Sequence, residues 1–257
     1  MSKIANAFKD GKAFIAFLTG GDPTPEKTVE YILTMEKAGA DLIEIGIPFS
    51  DPTAEGVVIQ DANIRALKAG TTTDKIFEIV KEVRKTSQIP LVFLTYLNPV
   101  FHYGYDAFFK KCKEYQVDGL IIPDLPYEEK HEVTDVADQY GVDIISMIAP
   151  TSKQRIQMIA SEAKGFIYIV SSMGVTGVRS EITTDIPGIV EAIRQVSDVP
   201  AAVGFGISTP AQAEEMAKAS DGAIVGSAIV KIIAAKKDQA APDLYDYVRS
   251  MKEAVQK

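Results

Sequence analysis

The sequence predicts an α/β protein, a single (β/α)8 barrel (TIM barrel) over residues 1–257, with extra helices and two lid loops. The length of 257 residues is usual for one such barrel. Apolar runs such as Leu91-Val92-Phe93-Leu94 are continuous instead of alternating, which is typical of parallel strands buried on both faces. A junction that leads from a helix-like segment through an Asp into an apolar run recurs along the chain.

These junctions and the remaining apolar runs define the order of the elements. The junctions read Ala38-Gly39-Ala40-Asp41-Leu42, Val117-Asp118-Gly119-Leu120, Gly141-Val142-Asp143-Ile144 and Ser220-Asp221-Gly222-Ala223. The predicted strands begin at Phe14, Leu42, Pro90, Gly119, Asp143, Phe166, Pro200 and Gly222. Between them, helical periodicity is clearest at 25–37 and 73–84. Strands and helices that alternate in this way favour a closed barrel.

Two long intervals and one missing motif complete the fold prediction. The longest intervals follow strands two and six, and they leave room for lid loops over the end of the barrel where active sites are built. The alternative is an open doubly wound sheet. Its first strand should be followed by Gly-x-Gly-x-x-Gly, but this chain has Thr19-Gly20-Gly21-Asp22-Pro23 there.

Charge and cysteine content argue against several classes of protein. The chain has 27 basic and 35 acidic residues, a net charge of −8, and no basic cluster, so we do not expect a nucleic-acid surface. The single cysteine, Cys112, cannot build a disulfide framework or a Cys-based zinc site. The apolar run 13–18 is too short for a secretory signal, and no run approaches the ~18 residues of a membrane span. We therefore expect a cytoplasmic protein that does not bind membranes.

Glu44 is the first candidate catalytic residue. It interrupts an apolar strand, where an unpaired charge costs several kcal/mol or becomes protonated. Because side chains alternate along a strand, Glu44 points the same way as Leu42 and Gly46. The following loop adds two further acids, Asp51 and Glu55. Acids at strand ends of α/β folds are usually site residues, so we favour catalysis over the alternative of a buried ion pair.

Three glycine-rich strand ends in the C-terminal third predict a phosphate site. They read Ser172-Met173-Gly174-Val175-Thr176-Gly177, Gly204-Phe205-Gly206-Ile207-Ser208 and Val225-Gly226-Ser227-Ala228. Barrels commonly bind phosphate through the loops after strands seven and eight and through the N-terminus of a short helix. Ser227 would open such a helix at 228–233. Each Gly pair alone could serve any tight turn, but their consecutive positions together predict phosphate binding.

Large side chains at other strand ends would wall a flat apolar pocket, although each alone could be core. These side chains are Phe17, Leu94, Tyr96 and Tyr168. His102 and His131 have no second His or Cys nearby in the sequence, so we predict no metal site, and carboxylates must supply the acid–base chemistry. Asp124, which ends strand four, is either a further acid or an N-cap or lid-loop anchor before the next helix.

Seven short segments, taken together, are specific for one family. The segments are 17–23, 44–52, 95–99, 119–126, 174–177, 204–208 and 226–230. Any one of them occurs in other phosphate-binding barrels. The set in this order resembles the tryptophan synthase alpha subunits, and the resemblance covers essentially the whole chain.

The resemblance implies a lyase of tryptophan biosynthesis that needs no metal or cofactor. The family cleaves indole-3-glycerol phosphate to indole and glyceraldehyde 3-phosphate by a retro-aldol step. Its partner is a pyridoxal-phosphate beta subunit, in an alpha-beta-beta-alpha heterotetramer. Breaking the bond requires a proton on indole C3 and removal of a proton from the adjacent glycerol hydroxyl, and one carboxylate held dry can do both.

The resemblance also implies roles for single residues. Glu44 would be the acid and base, with its pKa raised by the apolar strand end. Glu55 would accept the indole N–H and offset positive charge on the ring. The remaining implied contacts are Tyr168 beside Glu44, Thr176 bonded to Glu55, Phe205 in the substrate pocket, and Gly177, Gly206, Gly226 and Ser227 on the phosphate.

Two departures from the family pattern leave alternatives open. The family usually has Asp-Gly-Pro where this chain has Glu55-Gly56-Val57. Glu reaches one methylene further, and a misplacement of about 1 Å can cost on the order of 10²-fold in rate. One alternative is therefore a weakly catalytic or non-catalytic partner that regulates the beta subunit. Another is a different phosphate-binding barrel, such as an isomerase of a phosphorylated sugar.

Overall fold

Strands and helices alternate along the chain in the computed structural model, which describes residues 2–171, 184–204 and 206–257. Within these residues the strands are β1 (Ala13–Thr19), β2 (Leu42–Gly46), β3 (Leu91–Leu94), β4 (Gly119–Ile121), β5 (Asp143–Ile144), β6 (Ser146–Ile148), β7 (Ile167–Val170), β8 (Ala201–Gly204) and β9 (Gly222–Val225). The α-helices there are α1 (Pro25–Lys37), α2 (Val57–Lys68), α3 (Thr73–Arg84), α4 (Leu97–Tyr103), α5 (Tyr105–Tyr115), α6 (His131–Tyr140), α7 (Lys153–Ala160), α8 (Ile186–Arg194), α9 (Pro210–Ala219), α10 (Ser227–Lys236) and α11 (Ala241–Val255). Short 3₁₀ helices cover Ile4–Phe8, Tyr127–Glu129 and Lys237–Gln239. In these parts of the chain we find no helix that could cross a membrane.

The strands form one parallel sheet that curls into a barrel. Their order is β5-β4-β3-β2-β1-β9-β8-β7-β6, and all the pairs between neighbouring strands are parallel. β5 and β6 stand at opposite ends of this order but are separated only by Ile145, so they are two parts of one strand position. The predicted (β/α)8 barrel is confirmed. The doubly wound alternative is wrong, because the order runs around the barrel without the reversal that such a sheet requires.

Helices α1 and α3 begin and end at the residues that the apolar periodicity predicts. Both are N-capped by threonine: the Thr24 hydroxyl accepts the Lys27 N–H at 3.2 Å, and the Thr72 hydroxyl accepts the Lys75 N–H at 3.3 Å. Their apolar faces are buried against the outer wall of the barrel. Local caps and periodicity therefore predict the bounds of these two helices without any knowledge of the tertiary packing.

The interior of the barrel is packed with apolar side chains. It contains Ala13, Ile15, Leu42, Val92, Ile121, Ile145, Phe166, Tyr168, Val170, Ala202 and Ile224. The 3₁₀ helix Ile4–Phe8 closes the amino end of the barrel, where Ile4 is fully buried and the Phe8 ring lies 6.1 Å from the Phe166 ring. Glu44 shares the inward face of β2 with Leu42. A polar group at that position lies above a dry, filled interior.

The recurring junction Asp has a structural role at the amino end of the barrel. Asp41 accepts the Phe14 N–H at 2.6 Å, and Lys252 pairs with the same carboxylate at 2.7 Å. Asp118 likewise accepts the Leu91 N–H at 3.0 Å. Each Asp precedes one strand and satisfies the backbone at the start of the neighbouring strand, so the pattern seen in the sequence fixes the register of adjacent strands.

One set of hydrogen bonds, centred on an arginine, occurs twice, before β3 and before β8. In each case an Arg that ends a helix donates to a main-chain carbonyl two residues before the strand and to the Asp that precedes the next strand. The two sets are Arg84 with Ile89 and Asp118, and Arg194 with Val199 and Asp221. β3 and β8 are the third and seventh strand positions, so the bracket recurs half-way around the barrel. We call these two sets the Arg84 bracket and the Arg194 bracket.

The two brackets differ in burial, and this difference predicts their contributions to stability. The side chains of Arg84 and Asp118 are 8% and 4% exposed, whereas those of Arg194 and Asp221 are 34% and 32% exposed. Arg84→Met should lower the free energy of unfolding by about 3 kcal/mol, because it removes the Arg84 charge from the buried Asp118 carboxylate and leaves it with main-chain N–H donors. Arg194→Met should cost about 1 kcal/mol, because water still reaches Asp221.

Urea unfolding of both variants beside the parent chain measures the two values under the same conditions. Lys81→Met, which removes an exposed ion pair from the same helix as Arg84, serves as the control and should change little. Equal losses for the two arginine variants would contradict the dependence on burial.

Candidate active site

A pocket opens at the carboxyl ends of the barrel strands. Its empty volume, counting the open mouth, is about 690 Å³. It is lined by Phe17, Glu44, Ala54, Glu55, Ile59, Leu94, Tyr96, Pro123, Met147, Tyr168, Gly206, Ile207, Ile224, Gly226 and Ser227. Both predicted acids and all four predicted pocket walls thus border one cavity.

Glu44 is fully buried in β2, between the register neighbours Phe17 on β1 and Val92 on β3. Among the residues that the structure describes, neither of its carboxyl oxygens has a hydrogen-bond partner, and no ion pair includes it. The predicted alternative of a buried ion pair therefore has no support in these residues. Burial raises the pKa of Glu44 to about 8. A carboxyl group with this pKa can both release and accept a proton near neutral pH.

Tyr168 on β7 lies close to Glu44. It is almost fully buried, and burial, together with the nearby Glu44 charge, raises the pKa of its hydroxyl well above the usual value. A Cβ atom at Gly204 would overlap with the Tyr168 hydroxyl, so glycine at the end of β8 makes the room for this ring. The structure therefore places Tyr168 beside Glu44, as the sequence predicts.

Glu55 lies in the loop between β2 and α2 and is only 8% exposed. Asn63 donates to its Oε2 at 2.7 Å, and the Tyr96 hydroxyl also hydrogen-bonds the carboxylate. That hydroxyl accepts the Ala54 N–H at 3.0 Å. Burial raises the pKa of Glu55 to about 7, and the bonds from Asn63 and Tyr96 oppose this rise. The second acid is thus held in place by polar partners, unlike Glu44.

The apolar walls of the pocket are fixed by close packing. A Cβ atom at Gly46 would lie 2.8 Å from the Phe17 ring, so glycine at the end of β2 allows this ring to lie flat across the neighbouring strand. The Tyr96 ring lies 5.5 Å from the ring of Phe49, which belongs to the loop after β2. Rigid aromatic walls of this kind suit a flat aromatic ligand.

Gly206, Gly226 and Ser227 also line the pocket. Ser227 is the first residue of α10, and Gly226 is its N-cap, so the first N–H groups of a ten-residue helix are at the cavity. The loop after β8, which carries Gly206, is held by hydrogen bonds with α9 and α11. Gln212 accepts the Ser208 N–H at 2.9 Å, and the Tyr247 hydroxyl donates to the Ser208 carbonyl at 2.9 Å. This arrangement can hold a phosphate group without a basic side chain.

Several predicted residues lie outside the described residues. They are Thr176, Gly177 and Phe205, and most of the predicted lid loop after the sixth strand position, 172–183, is outside them as well. The first lid loop, between β2 and α2, is described and carries Glu55.

Other polar residues from the sequence lie away from the pocket or have a different role. Asp51 is exposed in the loop after β2. The N-cap predicted for Asp124 is wrong: its carboxylate accepts the N–H of Leu97 at 2.9 Å, at the start of α4, and not that of the helix that follows it. Carboxyl ends of adjacent strands lie side by side, so the loop after β4 reaches the helix after β3. Cys112 is buried, and in the described ranges no cluster of His, Cys, Asp and Glu could hold a metal ion.

Sequence reasoning missed Asn63, Ile59 and Met147. Asn63 had a usable signal, because it shares a helix face with the buried residues Ile59, Ala62 and Ala66 and is the polar residue among them. Ile59 looked like ordinary core. Met147 lies in β6, beyond the break at Ile145, and the apolar run Ile144-Ile145 ends at Ser146 before it.

A larger groove between α6 and α7 is the competing location for a site. Three ion pairs lie along it: Lys130 with Glu162 at 2.5 Å, Lys164 with Asp138 at 2.6 Å, and Arg155 with Glu128 at 2.6 Å. The hydrogen bonds from Lys130 and Arg155 lower the pKa values of Glu162 and Glu128, and a carboxyl group with a lowered pKa is a poor proton donor. The pocket with Glu44 and Glu55 is therefore the better candidate.

Comparison with known proteins gives the family. Residues 4–256 match the family model described as tryptophan synthase alpha chain. The chain is 51% identical to the tryptophan synthase alpha chain of Lacticaseibacillus casei, covering 99% of this chain and 96% of that one. The corresponding values for Lactiplantibacillus plantarum are 50%, 99% and 97%.

Solved structures agree with this match. A tryptophan synthase alpha chain from Legionella pneumophila is 34% identical with a TM-score of 0.88, covering 99% of this chain and 97% of that chain. A chain of the tryptophan synthase a2b2 complex from Pyrococcus furiosus is also 34% identical, with a TM-score of 0.83 and coverage of 94% and 98%. This chain belongs to the tryptophan synthase alpha chain family.

Proposed function

We propose that the chain is the lyase subunit of a tryptophan synthase and cleaves indole-3-glycerol phosphate to indole and glyceraldehyde 3-phosphate in tryptophan biosynthesis. The observation that carries the proposal is Glu44, a fully buried carboxyl group without a hydrogen-bond partner among the described residues and with a pKa of about 8. It lines a pocket that has aromatic walls and is also bordered by a helix N-terminus. Aromatic walls suit an indole ring, and a helix N-terminus suits a phosphate group.

The reaction requires that one proton is donated to the substrate and that one is removed from it. Protonated Glu44 donates to indole C3, which gives the ring a positive charge. The resulting carboxylate removes the proton from the hydroxyl on the adjacent carbon. As that O–H bond breaks, the C–C bond to C3 breaks, its electron pair returns to the ring, and an aldehyde forms. Glu44 ends protonated, as it began.

The other residues hold the substrate through this step. Ionised Glu55 accepts the indole N–H and stabilises the positive ring. Phe17, Leu94, Tyr96 and Tyr168 enclose the ring and keep water away from Glu44. Gly206, Gly226 and Ser227 bind the phosphate, and we assign the same role to Gly177. Thr176 as a partner of Glu55 and Phe205 in the substrate pocket stay predictions from the sequence, as do a single domain over 1–257 and a cytoplasmic location.

A second candidate function is a weakly catalytic or non-catalytic partner that regulates a beta subunit. Glu55-Gly56-Val57 favours it, because the longer acid departs from the pattern of the family. The contact with Asn63 at 2.7 Å argues for the lyase, because the surroundings of this chain bind the longer side chain directly.

We infer that the beta subunit binds at the mouth of the barrel. Val57, at the start of α2, is 70% exposed, and Phe101 on α4 is 64% exposed. These helices follow β2 and β3, which are neighbours, so both helices begin at the carboxyl end of the barrel, where the pocket opens. Exposed large apolar side chains beside a site are typical of a protein interface.

Glu44→Gln should lower indole release by about 10³-fold, because glutamine can neither donate nor accept the proton. Binding of glycerol 3-phosphate should persist, since the amide has nearly the same size. Steady-state indole release and calorimetric binding measure the two effects. Glu30→Gln on the exposed face of α1 is the matched control and should keep full turnover. Parental turnover in Glu44→Gln would remove Glu44 as the acid and base.

The same variant should change how stability depends on pH. Below pH 4.5, Glu44 is protonated in both states. Between pH 4.5 and about 8 the unfolded chain ionises this group while the folded chain keeps it protonated, so the stability of the parent falls as pH rises. Glu44→Gln lacks this loss. Its free energy of unfolding relative to the parent should therefore rise by about 3 kcal/mol from pH 4.5 to pH 7.

Denaturant unfolding at several pH values measures this difference. Glu55 titrates in both proteins and cancels from the comparison. A difference that stays constant from pH 4.5 to pH 8 would show that the Glu44 carboxyl has an ordinary pKa.

Adding a beta subunit should stimulate indole release clearly, and Phe101→Asp should weaken the complex at least tenfold, because it places a charge in the apolar contact. Val196→Asp is the control, since Val196 is 42% exposed but lies before β8, at the amino end of the barrel. Calorimetry and an indole assay measure both effects. Activation of the beta subunit without any cleavage would support the regulatory function instead.

A further inference from the structure

Asn63 is a buried polar residue for which the proposed reaction has no role. It lies on the inner face of α2 with Ile59, Ala62 and Ala66, and it is 3% exposed. A buried amide on an apolar helix face is costly unless it makes a specific hydrogen bond. Its Nδ2 donates to Oε2 of Glu55 at 2.7 Å, in a buried contact.

The same helix also holds the backbone of Glu55. Nε2 of Gln60 donates to the Glu55 carbonyl at 2.6 Å. Gln60 and Asn63 are three residues apart, so they are neighbours on one side of α2. One helix thus fixes both the main chain and the side chain of a residue that otherwise belongs to a loop.

The helix is itself anchored. Arg65 on α2 forms two parallel bonds to Asp22, from Nε at 2.9 Å and from an amino group at 2.7 Å. Asp22 is 1% exposed and lies in the loop after β1. A bidentate bond of this kind fixes orientation as well as distance. α2 is therefore a rigid support from which Asn63 can set the position of the Glu55 carboxylate.

We propose that Asn63 is a positioning residue: its amide holds the longer Glu55 side chain, ionised and in one orientation, at the indole-binding side of the pocket. The inference rests on the proposed function of Glu55. An amide suits the task because it donates a hydrogen bond and carries no charge that would change with pH. Tyr96 is the titratable group that, with Asn63, lowers the pKa of Glu55, and Asn63 is the partner with the larger effect.

The first test removes the donor without changing the size of the side chain. In Asn63→Leu, the pKa of Glu55 should rise by about one to two units, since a hydrogen bond to a charged group is lost. ¹³C NMR of chains labelled at glutamate carboxyls measures this pKa, and Glu55→Gln identifies the signal. The acid limb of kcat/KM should move up by the same amount, and the ratio of variant to parent activity should be higher at pH 9 than at pH 7, because ionisation of Glu44 lowers both activities alike.

The second test exchanges length between the two partners. Glu55→Asp shortens the acid by one methylene, and Asn63→Gln lengthens the amide by one. Each single variant should lose about tenfold in kcat/KM, because the contact is broken. The double variant should recover at least tenfold over the product of the single losses, because the contact forms again. A purely structural role for Asn63 predicts losses that multiply.

The outcomes separate this inference from the proposed function. An unchanged Glu55 pKa in Asn63→Leu, or multiplied losses in the double variant, would overturn the positioning role even in an active lyase. A parent chain that does not cleave its substrate while Asn63→Leu still shifts the Glu55 pKa would overturn the function and keep the contact.

If Asn63→Leu does not fold, Asn63→Asp, which preserves the size and puts a second carboxylate at Glu55, should raise the pKa still more. Asp61→Asn, on the exposed face of α2, is the control and should change neither quantity.

Discussion

The closed barrel packs every second side chain of its strands into an interior that water cannot enter, and the rest of the molecule depends on this packing. Apolar residues fill that interior from the 3₁₀ helix at its amino end to the level of Val92 and Tyr168. Glu44 is the carboxylate that the strand alternation brings to this dry region. Its raised pKa therefore needs no special partner, since desolvation alone produces it.

The second acid is controlled by a different physical effect. Glu55 is nearly as buried, but it belongs to a loop, so its position depends on hydrogen bonds from Asn63 and Tyr96. Those bonds favour the ionised form and oppose the rise in the pKa of Glu55 that burial causes, whereas burial acts on Glu44 unopposed. Of the two carboxyl groups in one pocket, Glu44 is therefore the one held more strongly in its neutral form.

Local rules explain how much of this could be predicted from the sequence. Helices α1 and α3 have threonine caps and clear periodicity, and the alternation along β2 gives the direction of Glu44. The break of the fifth strand at Ile145 could not be predicted, because it separates a part that pairs with β4 from a part that pairs with β7, and the local sequence does not give the partner of a strand. The partners of Asp124 and Glu55 depend on which loops meet at the barrel end, and a helix cap predicted from sequence order alone therefore named the wrong helix for Asp124.

The recurrence of the Arg84 bracket and the Arg194 bracket divides the barrel into two halves of four strand positions each. Glu44 and Glu55 belong to the first half, whereas Tyr168 and the proposed phosphate residues Gly206, Gly226 and Ser227 belong to the second. The proposed substrate would then contact both halves, with its ring between Glu55 of the first half and Tyr168 of the second, and its phosphate against the second. Its binding would join two repeated units, so that a ligand contacts both only when its length matches the distance between them.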